Sequence, residues 1–195
     1  MEATRRDLAE AAADLFIRNG YAATTVDDIA RAAGVGRRTF FRHYPTKEDV
    51  FLQSALAEIA DFAETLHNVP DTADVLADAA EAMRRSVDEL RAHLDDSLAL
   101  YRTIRATPEL RGALRTFNLA FEQCFTDWYG ERTHTEPTDP PAQLFGACAI
   151  AVRETALTNW SQRSDVDLLE HLDDAWDALR RIGTPGPDSR LGQAR

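Results

Sequence analysis

The sequence predicts an all-α chain, and three observations carry that prediction. Alanine and leucine recur at helical spacing throughout, alternating β-branched or aromatic runs are absent, and proline and glycine mark out the periodic stretches. A first helix is expected from about Thr4, a candidate N-cap, to Asn19, with Gly20 as its stop. Leu8, Ala12, Leu15 and Phe16 line one of its faces. A second helix opens at Thr25, where Thr25-Val26-Asp27-Asp28 has the form of a capping box and Asp28 sits at the positive end of the helix dipole. Val26, Ile29, Ala30 and Ala33 form its apolar stripe, and Gly34 ends it. A short segment follows from Arg37 to Tyr44, closed by Pro45. Thr46 caps a long helix that Val50, Leu52, Leu56, Ile59 and Phe62 carry to about Leu66, a rod of roughly 30 Å at 1.5 Å per residue. Pro70 breaks it. Further helices are expected at 72–93, 96–106, 108–131, 141–163 and 166–182, with Pro108 as a first-turn residue. The segment from Glu131 to Pro141 reads as the one long loop, and 183–195 as a disordered tail.

Composition narrows the function classes. No run approaches the roughly 20 apolar residues that span a bilayer, so no membrane is expected as a partner. The first residues lead into Asp7, Glu10 and Asp14, which a secretory leader's apolar stretch would exclude. Cys124 and Cys148 belong to no Cys-x-x-Cys pair or Cys/His cluster, so neither a disulfide framework nor a metal site is expected. The reading is a cytoplasmic, reduced protein. The net charge of −11 argues against nucleic acid only until it is mapped. Residues 1–48 hold eight basic groups against seven acids, a balance of +1, which leaves −12 on the remainder. Four of those eight fall between Arg37 and Lys47. An acidic body with a local basic spot can bind DNA when the body is held away from it.

Two short helices joined by a glycine-containing turn, the second basic outside, form the helix-turn-helix pattern. The first helix must bury a stripe and cap its N-terminus near a phosphate, and Gly34 must let the helices cross steeply. The second must enter the major groove and present side chains that reach base edges. In the recognition segment 37–44, Phe40 is three to four residues from His43 and Tyr44, so Phe40 and Tyr44 face inward. Arg37, Arg38, Thr39 and Arg42 are left facing outward.

Over Thr24-Thr25-Val26-Asp27-Asp28-Ile29-Ala30, Ala33-Gly34-Val35 and Thr39-Phe40-Phe41-Arg42-His43-Tyr44-Pro45-Thr46-Lys47-Glu48 the chain resembles the TetR family of bacterial repressors. The resemblance implies phosphate contacts at Thr25, His43 and Lys47, and base-reading positions at Arg37, Arg38, Thr39 and Arg42. Two positions depart from the family pattern. Phe41 stands where the family commonly has Tyr, so that DNA-facing position lacks a hydroxyl for a phosphate, and Gly36 stands where it commonly has Ser, so the recognition helix lacks its usual cap.

The same resemblance implies that 1–48 is the DNA-binding domain and 49–182 a helical domain that binds an effector and forms a homodimer. Tyr101, Phe117, Phe121, Phe125 and Trp128 recur at helical spacing, as either a packed core or the wall of an apolar cavity. Arg105 is a polar candidate beside them, with Arg84, Asn118, Arg153 and Asn159, and no spacing singles one out. Leu144, Ala147, Cys148, Ala151, Val152 and Thr155 form a small-residue stripe suited to close helix approach. Leu172, Trp176 and Leu179, with Leu169 and Ala175, form a second. Two such helices from each subunit would make a four-helix dimer interface, although part of each stripe must face its own subunit. A finer resemblance, over Leu100 to Arg111 and Asp167 to Leu179, is to regulators of the MftR type and implies an acyl-CoA-like ligand. No catalytic residues and no cofactor are expected: His-Glu-x-x-His, Gly-x-Ser-x-Gly and phosphate-cradling glycine loops are absent, and the histidines are scattered. The remaining alternative is a DNA-binding regulator with no small-molecule effector.

Overall fold

The computed structural model describes residues 2–89, 94–163 and 165–183, and the regular structure among them is entirely helical. The helices are α1 (Glu2–Asn19), α2 (Val26–Ala32), α3 (Arg37–His43), α4 (Lys47–His67), α5 (Val75–Glu89), α6 (Leu94–Ala106), α7 (Arg111–Thr133), α8 (Pro140–Gln162) and α9 (Leu168–Gly183), with one 3-10 turn at Pro108–Leu110. Several bounds differ from the sequence expectation, among them the starts of α5 at Val75 instead of 72 and of α6 at Leu94 instead of 96. Helix α1 already includes Thr4 rather than being capped by it, and Pro108 opens the tight turn instead of α7 itself. The loop expected between Glu131 and Pro141 is shorter, because α7 runs to Thr133 and the two prolines at 140 and 141 occupy the first turn of α8. Proline suits that position, where its missing N–H would have had no helical partner. The loop also folds back on α7: Thr135 N donates to Gly130 O at 3.0 Å, and a Cβ at Gly130 would lie 2.7 Å from Thr135 O. Gly183, expected to begin the tail, instead ends α9, and the rest of the expected tail, 184–195, and the expected helical residues 90–93 lie outside the described residues.

The chain forms two compact units. The first draws on Met1–Glu64 and Glu89–Cys124. Its principal core joins Leu8, Ala12 and Phe16 of α1, Ile29 and Ala30 of α2, Phe40 and Tyr44 at α3, and Val50 of α4. Leu110, from the turn between α6 and α7, is 1% exposed in this same core, with Ile104 and Ala113 packed against it. Tyr44 completes it from the side: its hydroxyl donates to Arg5 O at 3.1 Å, and the Arg5 guanidinium lies over its ring. A second apolar group in this unit stacks Phe62 on Phe121 at 4.6 Å and Phe121 on Phe117 at 5.9 Å, with Tyr101 also buried.

The second unit draws on Thr65–Asp88 and Phe125–Arg195. Helices α8 and α9 pack along each other, burying Val152, Ala156 and Trp160 from one and Leu172, Ala175 and Trp176 from the other. Phe145 gathers Phe125, Trp128 and Tyr129 around its ring. One buried carboxylate is fully matched. Asp78 accepts from Thr72 N and Oγ1 at 3.1 and 2.6 Å, and from Arg132 Nη2 at 2.8 Å. A buried charge is tolerated only with such partners.

Leu110 offers a direct test of how far the core depends on the turn. Truncating a fully buried leucine removes transfer free energy and leaves a cavity, a combined loss of about 2–5 kcal/mol. Leu110→Ala should lower the stability of the first unit by that amount in urea denaturation. A loss under about 1 kcal/mol would show that α1–α3 close their core without it.

Candidate nucleic-acid interface

The helix-turn-helix is assembled by local hydrogen bonds that the sequence specifies. At the start of α2, Asp28 N donates to Thr25 Oγ1 at 3.2 Å, while Thr25 N and Oγ1 donate to Asp28 Oδ2 at 3.1 and 2.6 Å. Those bonds hold the Asp28 carboxyl below the usual carboxylate range, with Arg31 adding to the effect. At the other end Gly34 takes φ +69°, Gly34 N donates to Arg31 O at 3.1 Å, and Val35 N donates to Ala30 O at 2.8 Å. This is a Schellman ending, and a left-handed residue at that position is what turns the chain toward α3. Gly36 then caps α3 with extended backbone and no side-chain bond. A Cβ there would meet nothing within 4 Å, so the absent serine is a matter of sequence, not of space.

Helix α3 buries Phe40, and His43 Nε2 is buried as well, without a hydrogen-bond partner among the described residues. Arg38 and Arg42 are exposed, with no ion pair among the described residues, and Thr39 and His43 are half-buried. Arg37 is exposed but held: Nη1 meets Asp27 Oδ2 at 2.9 Å across the turn, and the guanidinium lies 5.2 Å from the Phe41 ring centre. Phe41 is 45% exposed and packs edge-on against Phe40. A phenyl ring here therefore supports an arginine in place of offering a hydroxyl. Thr25 is exposed, with its hydroxyl already in the capping box. Lys47 is the most constrained of the expected contacts. Its Nζ donates to Tyr21 O at 2.6 Å and Thr24 O at 2.9 Å and sits 3.7 Å above the Tyr21 ring, and desolvation pushes its pKa down.

Tyr21 is a residue that sequence reasoning missed. Its hydroxyl donates to Glu48, and burial together with that acidic partner raises its pKa. Burial is the largest influence on Glu48 and would raise its pKa, but the bonds from Tyr21, its own backbone and Thr46, together with the charge of Lys47, outweigh it and leave the carboxyl lowered. The sequence signal was an aromatic directly after the helix stop Gly20, with an acid and a base side by side at positions 47 and 48.

The other expected residues divide between the two units. Tyr101, Phe117 and Phe121 are buried in the first, with Arg105 exposed and its guanidinium 6.0 Å from the Tyr101 ring centre. Phe125 and Trp128 are buried in the second. On α8, Leu144, Ala147, Ala151 and Thr155 lie on one exposed face with Cys148 half-buried beside them, while Val152 points into the unit. On α9, Leu172 and Trp176 are buried against their own chain and Leu179 is half-buried.

A capped helix, a left-handed glycine turn and a short basic helix on a shared core define a helix-turn-helix DNA-binding regulator. Comparison with known proteins agrees. Residues 8–53 match the model of bacterial regulatory proteins of the tetR family, and residues 74–183 match that of the MftR C-terminal domain. The transcriptional regulator TcmR of Streptomyces glaucescens is 34% identical over 172 residues, 85% of this chain and 76% of its own. A regulator named for mycofactocin biosynthesis, MftR of Mycobacterium tuberculosis, is 28% identical over 181 residues, 90% of this chain and 89% of its own. Among solved structures, a TetR-family regulator from Syntrophomonas wolfei shares the fold with a TM-score of 0.72 at 17% identity, covering 93% of this chain and 95% of that one. FadR of Bacillus subtilis, solved in complex with stearoyl-CoA, shares it at 0.67 and 18%, covering 89% and 96%. The chain belongs to the TetR family and carries a C-terminal domain of the MftR type. Its relatives are transcriptional regulators, not enzymes. No helix among the described residues is long and apolar enough to cross a membrane.

The capping box predicts a linked loss. Thr25→Ala should destabilise the protein by about 1 kcal/mol at neutral pH, the usual worth of such a cap. It should also move the Asp28 carboxyl up toward its ordinary value. A depressed carboxylate contributes stability above its unfolded pKa of about 3.9 and loses it as pH falls through the folded value. The gap between wild type and variant should therefore narrow below about pH 4. Urea melts at several pH values, with an NMR titration of Asp28, measure both; a gap constant from neutral pH to pH 3 would contradict the role of the box.

Proposed function

We propose that the chain is a cytoplasmic homodimeric repressor that leaves a pseudo-palindromic operator when a small apolar or acyl-bearing effector binds. The observation that carries this reading is the position of Leu110. The turn joining α6 to α7 is built into the core that holds the recognition helix. A ligand that moves α6 or α7 by a small amount therefore strains the helix-turn-helix without touching DNA. In this reading residues 1–48 do the DNA work and 49–182 the sensing and pairing, a division of labour and not of packing. Arg38 and Arg42 read bases with Thr39, and Arg37 joins them from its pair with Asp27. Thr25, His43 and Lys47 meet phosphates, while Phe41 supports the face. Tyr101, Phe117 and Phe121 wall the effector space, and the stearoyl-CoA found in the FadR structure supports an acyl-bearing ligand.

Base reading and phosphate binding separate experimentally. Arg38→Ala should cost about 1–3 kcal/mol on the operator and little on random DNA. Equal losses on both would remove Arg38 from the base-reading set. Fluorescence anisotropy on the two duplexes at fixed salt measures this.

The exposed face of α8 supports pairing between subunits. Half-site centres should then lie about 34–36 Å apart, or a multiple of one turn. Ala151→Glu places a charge on that face and should yield monomers with much weaker operator binding. Sedimentation of the wild type as a monomer at micromolar concentration would refute the dimer.

Effector and DNA must weaken each other by the same factor, through a coupling of about 1–3 kcal/mol. Phe121→Ala should change the effector-induced loss of operator affinity more than the affinity itself. An unchanged effector shift in a folded Phe121→Ala protein would leave these aromatics as core only.

A further inference from the structure

Four large apolar side chains are exposed among the described residues, and Phe41 is the aromatic one. It sits on α3, the short basic helix of the helix-turn-helix. The ring is 45% exposed, yet it is held in place. Fully buried Phe40 meets it edge-on, at 5.4 Å between centres and 83° between planes. The Arg37 guanidinium lies 5.2 Å from its centre and is itself tied to Asp27 at 2.9 Å. A ring braced from the core and by an ion pair has little rotamer freedom left to lose on binding.

Helix geometry puts this ring in one patch with the cations. Arg37 and Arg38 precede it by four and three residues, the spacings at which side chains are neighbours on a helix surface. The arginines supply hydrogen-bond donors for phosphates and for the polar edges of bases. A phenyl ring has no donor for either. The apolar group that the major groove offers at base edges is the C5-methyl of thymine. An exposed apolar side chain can also wedge between base steps, but that is the habit of proteins that bind the minor groove. An α-helix fits the major one.

We propose that Phe41 is a specificity-determining residue that reads a thymine methyl in the major groove. The proposal rests on the reading of α3 as the helix that enters the groove, and adds a base preference that the arginines do not supply. Ring and methyl leave water together, and one buried methyl corresponds to about fourfold in Kd. A hydroxyl at this position would favour a phosphate, which carries no sequence information. A bare ring gains only at a base edge, and there it separates thymine from cytosine.

A duplex selected by the full chain from a random pool is the probe. Each of its thymines is replaced singly by uracil, which keeps the base pair and the O4 acceptor and removes only the methyl. Wild type should lose about fourfold in affinity at a particular thymine. Phe41→Ala, and Phe41→Gln with its greater bulk over Phe40, should bind the thymine and uracil forms of that duplex equally. Arg38→Ala reports on the groove reading separately: it should lose affinity for the selected duplex and little for random DNA, yet keep the uracil penalty. The proposal is overturned if wild type is indifferent to uracil at every thymine, a scan that needs no variant. It is equally overturned if every penalty persists in full in the Phe41 variants. Either result beside a discriminating Arg38→Ala leaves the groove reading standing, whereas equal Arg38→Ala losses on both duplexes remove that reading and this one together.

Discussion

Leu110 in the core of the helix-turn-helix is the contact on which the first unit depends. Helices α2 and α3 have seven residues each, and with α1 alone so small a set buries too little surface to hold a rigid recognition helix. The missing apolar volume arrives from more than sixty residues downstream, as Leu110 with Ile104 and Ala113 at its edge. Phe40, the residue that fixes α3, and Leu110, the residue that ends the turn after α6, belong to one packed cluster. Protein interiors are dense enough that a shift on one side of such a cluster is felt on the other. The recognition helix is thus mechanically part of the helices that follow it, within a single unit.

Polar bonds hold the same region together where α4 begins. Lys47, Glu48 and Tyr21 form a closed group at the start of α4, in which an ammonium is shared between two carbonyls and an aromatic face, and a carboxylate accepts a hydrogen bond from the phenol. Each member satisfies another, so the junction between α3 and α4 is held by polar bonds as well as by Val50 below it. The second unit shows the same economy around Asp78, where one buried carboxylate ties the segment before α5 to the end of α7.

What the sequence made legible was local. Thr25 with Asp28, Gly34, and Thr46 with Asp49 are caps and stops whose bonds span three to five residues, and each forms as the order of residues implies. The apolar periods of α1 and α2 are equally local, and their stripes are the buried ones. Contacts between distant segments were not legible. Nothing in the run from Thr107 to Arg111 distinguishes a leucine that enters another core from one that begins a helix. The aromatic series on α7 has one period but two destinations, since Phe117 and Phe121 stack with Phe62 while Phe125 and Trp128 gather at Phe145. A hydrophobic period says that a face is buried, and not against what. The stripes of α8 and α9 divide likewise, the α9 residues Leu172 and Trp176 facing inward and most of the α8 set facing out.

The pair formed by Arg37 and Asp27 has a consequence for how this regulator meets a polyelectrolyte. The two residues carry no net charge together, so approaching a duplex as a pair they displace no condensed cation from it. The net positive charge of the α3 face resides on Arg38 and Arg42. Arg37 enters instead as an oriented dipole whose direction is set by Asp27 on one side and the Phe41 ring on the other. If Arg37 contacts DNA as proposed, the attraction of such a dipole would be short-ranged and less masked by salt than that of a free cation. On the proposed reading of these arginines, two kinds on one short helix would separate the force that brings the protein near DNA from the force that registers it there.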